Sequence, residues 1–472
     1  MTKNTHRLIK GTFILTSAGI LSRIMGFFFR IFLSHIFGEE QVGLYQLIFP
    51  FYILCLSLST AGIETAISRM VAEKISLGKK RQALDILRTG LFFAVSLSLV
   101  ECLFVQQYAD VISLRFLDDV RCTELLRSVS YALPAASVHG CICGYNLGIQ
   151  KATMPAVSQL VEQTARILSV LLLFFLLQRT SGTCSIQIAV SGVILGEYLA
   201  ALYSIWHFYK VHLTPDVCPP CISSTPDTRI HLHSASASEK STCFPHLFLP
   251  LPHTHCIVEL LKLSVPLTLN RSAVTLLQSI EAVSVPACLK LCQYSDAEAL
   301  SIYGVLTGMA LPCILFPSAV TSSVSMMLMP AVAGEQVAGK HQSMMRLILR
   351  AASACFMLGL LCCIFFLLFG TAIGQILFHS SLAGNFIVTL AWICPFLYTN
   401  TALTGTINGL GNTAVTLIIN ISGLSARILS IITAVPRFGI QGYLWGLLAS
   451  QTLVSVLSIA ALYKITGISK KL

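Results

Sequence analysis

Apolar runs of twenty or more residues, separated by short polar stretches, recur from end to end of this 472-residue chain. Each run is long enough to cross about 30 Å of hydrocarbon as a helix. They fall at residues 8–37, 43–68, 84–108, 125–149, 156–178 and 186–209, and again at 257–285, 302–329, 347–370, 384–409, 413–435 and 443–463. The pattern predicts an all-α integral membrane protein of about twelve helices. The first run is too long for a signal-peptide core and lacks a small-residue cleavage site, so it reads as a retained helix.

The second six runs repeat the first. Ala165-Arg166-Ile167-Leu168-Ser169 recurs as Ala426-Arg427-Ile428-Leu429-Ser430, an offset of 261 residues. The same offset pairs Gly78-Lys79 with Gly339-Lys340, Pro134 with Pro395, Gly144 with Gly405 and Gly148 with Gly409. Six helices per half preserve membrane orientation, so the repeats are parallel and related by an axis along the membrane normal. Two lobes are expected, residues 1–209 and 257–472, enclosing a central cavity about which they rock. Between them, residues 210–256 hold seven of the 17 Pro and six of the 12 His, and read as an irregular linker. Cys218-Pro219-Pro220-Cys221 in that linker has one ligand pair of zinc spacing. The remaining Cys and His are irregular, so no metal site is assigned.

Composition and charge narrow the class. Only 11% of residues are charged against 55% hydrophobic, too few charges to cover a water-soluble fold of this length. The net charge of +11 is not a nucleic-acid signature, because Lys and Arg cluster in alternate loops. Lys3, Arg7, Lys10, Arg69, Lys74, Lys79, Lys80, Arg81, Lys151, Lys340 and Arg346 fall on one side; Glu39, Glu40, Asp110, Asp118, Asp119 and Glu124 fall on the other. Both termini are therefore expected on the cytoplasmic side. Most of the Cys sit in apolar runs and behave as small hydrophobes.

Charged residues inside the spans are the candidate functional groups, since each costs about 2.5–3.5 kcal/mol at a helix centre. Arg23 lies roughly 20 Å along the first helix from Lys10. Arg30, seven residues further, shares its face. Such a ladder suits phosphate, which a guanidinium grips with a two-pronged fork; snorkelling to the headgroups is the other reading of both. Arg271, close after Pro266 and Asn270, suggests a helix broken beside a cavity, or else an interfacial anchor. Glu162 and Arg166, four apart, share a helix face and read as an internal ion pair. In the repeat Arg427 is kept while the Glu162 position becomes Gly423, so Arg427 needs an anion or a partner from another helix. Glu64 stands open as a proton or sodium site, a counter-ion to Arg23, or an interfacial carboxylate. No P-loop, metalloprotease or Gly-x-Ser-x-Gly motif is present, so enzymatic activity and cofactors are not expected. Any driving force is an ion gradient, the membrane potential or the substrate gradient.

Several segments closely resemble the stage V sporulation protein B family. They are Gly11-Thr12-Phe13-Ile14-Leu15, Ser22-Arg23-Ile24-Met25-Gly26-Phe27, Gly38-Glu39-Glu40-Gln41-Val42-Gly43-Leu44-Tyr45, Ala66-Ile67-Ser68-Arg69-Met70-Val71-Ala72-Glu73 and the stretch 159–167. The resemblance implies membership of the multidrug/oligosaccharidyl-lipid/polysaccharide exporter superfamily, with two six-helix lobes and alternating access. It implies a flippase for undecaprenyl-pyrophosphate-linked saccharides, with a lipid II-like peptidoglycan precursor for spore cortex as cargo. Membrane lipid and cell-wall synthases are the implied partners. In the related murein-precursor flippases the Arg of the Ser-Arg-x-x-Gly-Phe element, here Arg23, is essential. Those flippases also carry two further C-terminal helices, whereas about twelve helices are expected here. The competing expectation is a sodium- or proton-coupled multidrug exporter of the same superfamily, which would favour acidic cavity residues over this chain's arginines.

Overall fold

The computed structural model describes residues 3–180, 185–213 and 254–466. The first half holds α1 (Lys3–Leu56), α2 (Gly62–Ser76), α3 (Lys80–Ile112), α4 (Cys122–Ser130), α5 (Ala132–Gly148), α6 (Thr153–Thr180) and α7 (Gln187–Leu213). The second holds α8 (Thr254–Lys290), α9 (Asp296–Gly304), α10 (Leu311–Leu315), α11 (Ser318–Val337), α12 (His341–Phe378), α13 (Ser381–Leu390), α14 (Cys394–Gly409), α15 (Thr413–Phe438) and α16 (Ile440–Thr466). Among the described residues there is no strand. Most of the expected linker, with Cys218, Cys221 and Cys243, lies outside them.

Ten helical stretches among the described residues are long and apolar enough to cross a membrane. They hold eleven spans, and the segment formed by α4 and α5 makes the twelfth. The stretch Phe13–Ser76 contains two spans that meet at Gly38, where the backbone turns through φ 74° and ψ 176°. The fourth span is broken into α4 and α5, each too short to cross alone. The expected boundaries at 43–68 and 302–329 are corrected: these spans run on to Ser76 and Val337, and each is interrupted by a π turn, Ser57–Ala61 in one and Val305–Ala310 in the other.

The 261-residue repeat is written into the backbone. Left-handed residues occur at Gly78 and Gly339 (φ 75° and 69°), Asp118 and His379 (55° and 52°), and Gln150 and Gly411 (61° and 82°), each pair related by the offset. The turns before α3 and α12 share their bonds, Lys79 N to Lys74 O at 2.9 Å and Lys340 N to Glu335 O at 3.1 Å. A shared proline breaks a helix in each half. A proline ring clashes with the carbonyl four residues earlier, which for Pro134 is Ser130 and for Pro395 is Ala391. The breaks fall there, at Tyr131 between α4 and α5 and at the 3₁₀ turn Ala391–Ile393 between α13 and α14. The expectation of a broken helix at Pro266 is not met. α8 continues through both Pro266 and Pro286, because a missing N–H is tolerated where neighbouring helices pack around the helix.

Small residues let the helices of each half touch backbone to backbone. A Cβ on Gly148 would lie 2.7 Å from Ser68 O, and one on Gly409 would lie 2.6 Å from Met329 O, the repeat-related carbonyl. Gly148→Val should therefore destabilise the first half by about 1–3 kcal/mol. A thermal-shift measurement on the purified variant checks this.

Two seams join the halves. Along one, α8 lays a row of hydroxyls on the first half: Ser57 Oγ meets Thr275 Oγ1 at 2.8 Å and Ser272 Oγ at 3.3 Å, and Ser279 Oγ donates to Pro50 O at 2.9 Å. Along the other, α1 crosses α9 with the repeat-related Gly43 and Gly304 in direct contact. A Cβ on Gly304 would stand 2.6 Å from Gly43 N. The seams close at the end of the bundle that carries the acidic loops. There Ser301 Oγ donates to Glu39 at 2.8 Å, Lys290 Nζ bonds Asp118 at 2.8 Å, and His379 Nδ1 lies 3.0 Å from His35 Nε2. At the same end the carboxylates of Asp119 and Glu40 clasp Arg121 and raise its affinity for its proton.

Candidate functional site

Between the halves, beside the Gly43–Gly304 crossing, lies a cavity of about 400 Å³. α1 contributes Phe29, Arg30, Tyr45, Gln46 and Phe49; α6 contributes Gln163 and Arg166; the second half contributes Tyr303 and Thr307. Two guanidiniums, two amides and two phenols thus face one space walled by aromatic and aliphatic surface. That combination suits a compact polar anion with an apolar surround.

The two arginines are held differently. Arg30 Nη1 donates to the Thr307 carbonyl across the halves at 3.0 Å. Thr307 sits in the π turn Val305–Ala310, whose irregular ladder leaves a carbonyl free to accept. No carboxylate lies within ion-pair distance of Arg30 among the described residues. Arg166 Nη2 donates to Glu162 one turn earlier on α6, while its Nε is buried with no partner. The cavity therefore holds an uncompensated positive charge and an unused donor.

The other expected residues lie outside the lining of this cavity. Arg23 is exposed and donates from Nη1 to Ser322 Oγ on α11 at 3.2 Å, a further contact between the halves. Arg271 is exposed on α8 and lies within electrostatic reach of Glu64, as does His139. Glu64 Cγ and its carbonyl pack against the close-approach Gly144 of α5. The structure thus brings Arg30 and Arg166 together, and sets Glu64 beside Arg271 rather than making it a partner of Arg23. Arg427 finds its counter-charge in another helix, with Nη1 3.1 Å from Glu281 Oε1 on α8.

Sequence reasoning passed over three groups. Glu197 on α7 is buried and accepts from Tyr52 at 3.4 Å, and His139 Nδ1 on α5 stands 3.7 Å from it. Glu281 is the third. Glu197 and Glu281 are acids inside apolar runs, the signal that singled out Glu64. A further polar pocket of about 280 Å³ in the second half gathers Gln278, Asn400, Thr404, Asn420, Gln451 and Arg427.

The fold and this polar interface define a multi-pass membrane protein of two repeated halves. A family model described as "Polysaccharide biosynthesis protein" matches residues 8–336, and the chain belongs to that family. Over its full length it is 26% identical to stage V sporulation protein B of Bacillus subtilis (strain 168), covering 86% of that protein. Over 44% of its length it is 27% identical to the lipid II flippase MurJ of the same organism, covering 40% of it. Among solved structures, the inward closed conformation of lipid II flippase MurJ superposes with a TM-score of 0.70 over 95% of this chain and 87% of that one, at 12% identity. An inward-facing multidrug resistance MATE family transporter of the MOP superfamily gives 0.68 over 97% and 99%, at 14% identity. The two-lobed all-α fold is that of the MOP superfamily.

Proposed function

We propose that this protein is a flippase that moves an undecaprenyl-pyrophosphate-linked saccharide across the cytoplasmic membrane by alternating access. A lipid II-like peptidoglycan precursor for spore cortex is the cargo that similarity to stage V sporulation protein B and to a lipid II flippase favours. The observation that carries the reading is Arg30, part-buried between the halves beside Arg166, with no carboxylate paired to it among the described residues. An uncompensated guanidinium in such a place is stabilised best by an anionic ligand. Arg23 and Arg271, exposed on α1 and α8, belong to the path by which the headgroup enters. The prenyl tail stays in lipid while the halves rock. A multidrug exporter for cationic compounds would want the opposite cavity charge.

Both termini, residues 69–81 and the linker at 210–256 are placed in the cytoplasm by the Lys and Arg asymmetry. Cys218 and Cys221 should then resist an impermeant thiol reagent in intact cells and react after permeabilisation. Labelling from outside reverses the orientation and the direction of transport. Complementation of a flippase-deficient strain, with membrane levels measured, tests the function. Wild type should restore growth, and well-expressed Arg23→Ala and Arg271→Ala should be impaired. Normal growth with both variants removes them from the path.

A further inference from the structure

Behind the cavity wall, Arg166 is shared between two environments. Its guanidinium lines the cavity on one side and pairs with Glu162 on the other. Glu162 belongs to a part-buried cluster with His139 and Glu197, whose ligand atoms all lie within 4.8 Å of one another. The side chains of His139 and Glu197 are only 13% and 9% exposed, so bulk water does little to screen their charge. Tyr52 OH donates to Glu197, and His139 Nε2 lies 3.0 Å from Ser158 Oγ.

The charge count differs between the repeats. In the second half Arg427 faces one carboxylate, Glu281, which also accepts from Tyr443 at 2.9 Å. In the first half Arg166 pairs with Glu162 and lies within electrostatic reach of a second carboxylate, Glu197. The other titratable groups around the cluster are Tyr45, Tyr52 and Arg30 from α1, Glu64 from α2, and Cys143 from α5. Arg30 stands beyond Arg166 on the cavity side, so the second carboxylate has His139 as its nearest cation. With His139 as imidazolium the four-residue group is neutral. A divalent metal among the same ligands would leave a buried surplus of positive charge, because Arg166 is already there.

We infer that this cluster is a proton site coupled to headgroup binding: when an anion in the cavity draws on Arg166, a Glu162–Glu197 carboxylate takes up a proton in its place. The proton comes from solvent and ends on a carboxylate oxygen, with no other bond made or broken. The inference rests on the pyrophosphate reading of the cavity. By linkage the coupling is reciprocal, so a proton on the cluster frees Arg166 for the anion and strengthens binding.

Calorimetric titration of the purified full-length protein with undecaprenyl pyrophosphate, in buffers of different ionisation enthalpy, counts the protons exchanged. Uptake of about one proton per bound lipid is expected, with affinity rising by at most about tenfold per unit fall in pH. Glu197→Gln leaves Glu162 to His139, so the count should fall towards zero while binding persists. Wild-type binding without proton uptake overturns the inference, whether or not the variant folds. So does binding that is independent of pH but requires sodium or zinc ions. Absence of wild-type binding overturns the pyrophosphate reading itself, a result distinct from binding without uptake.

Discussion

Arg30→Ala is expected to abolish complementation of a flippase-deficient strain while leaving the protein in the membrane at near wild-type levels. Arg30 makes one protein bond, to the Thr307 carbonyl, and no ion pair among the described residues. Its removal therefore orphans no carboxylate and should cost the fold little. What it removes is the charge-assisted contact to the headgroup. Such a contact contributes about 1.5–3 kcal/mol, which corresponds to a loss of roughly 10- to 150-fold in affinity. Arg30→Lys keeps the charge but loses the planar fork, and should fall between. Arg166→Ala should behave differently. It leaves Glu162 and Glu197 buried without their guanidinium, so a loss of folded protein accompanies the loss of binding. Comparing the two variants by size-exclusion profile and by lipid binding separates recognition from stability.

Gly304→Ala should hold the acidic-loop end of the bundle apart. The added Cβ would meet Gly43 N at 2.6 Å and Gly43 Cα at 2.8 Å, and neither backbone atom can swing aside. Overpacking of this kind costs about 1–3 kcal/mol. Here it falls on the closed state alone, because the two glycines belong to opposite halves. A cysteine pair at Glu39 and Ser301, whose side chains bond across the same seam at 2.8 Å, should cross-link readily in the wild-type background. It should do so roughly tenfold less in the Gly304→Ala background. Gly43→Ala, whose Cβ would lie 3.0 Å from the Leu300 carbonyl carbon, should act in the same direction. Unchanged cross-linking in both would mean that the crossing is not a gate.

Much of the architecture was legible because membrane spans are long and the repeat is in register. The offset that pairs Gly78 with Gly339 also pairs their turns, and Pro134 and Pro395 break equivalent helices. The break expected at Pro266 failed for a reason the sequence does not carry, namely the packing of α8 against the Gly62 end of α2. The π turns at Ser57–Ala61 and Val305–Ala310 left no sequence signal, yet one of them supplies the carbonyl that holds Arg30. At the site, single-helix reasoning found the Glu162–Arg166 pair because its spacing is local. It reached neither Glu281 for Arg427 nor His139 and Glu197 for the Arg166 group, since those partners come from α8, α5 and α7. The arginine ladder along α1 was likewise read as one surface. The bundle instead turns Arg30 into the cavity and Arg23 towards Ser322.

Native mass spectrometry of the purified protein tests the central claim most directly, that Arg30 and Arg166 hold the pyrophosphate of a polyprenyl-linked saccharide. Wild-type protein should retain an adduct with the mass of such a lipid, displaced by added undecaprenyl pyrophosphate, and Arg30→Ala should retain it at a small fraction of that level. Phospholipid adducts alone in the wild type, or a polyprenyl adduct equally abundant in Arg30→Ala, would contradict the account.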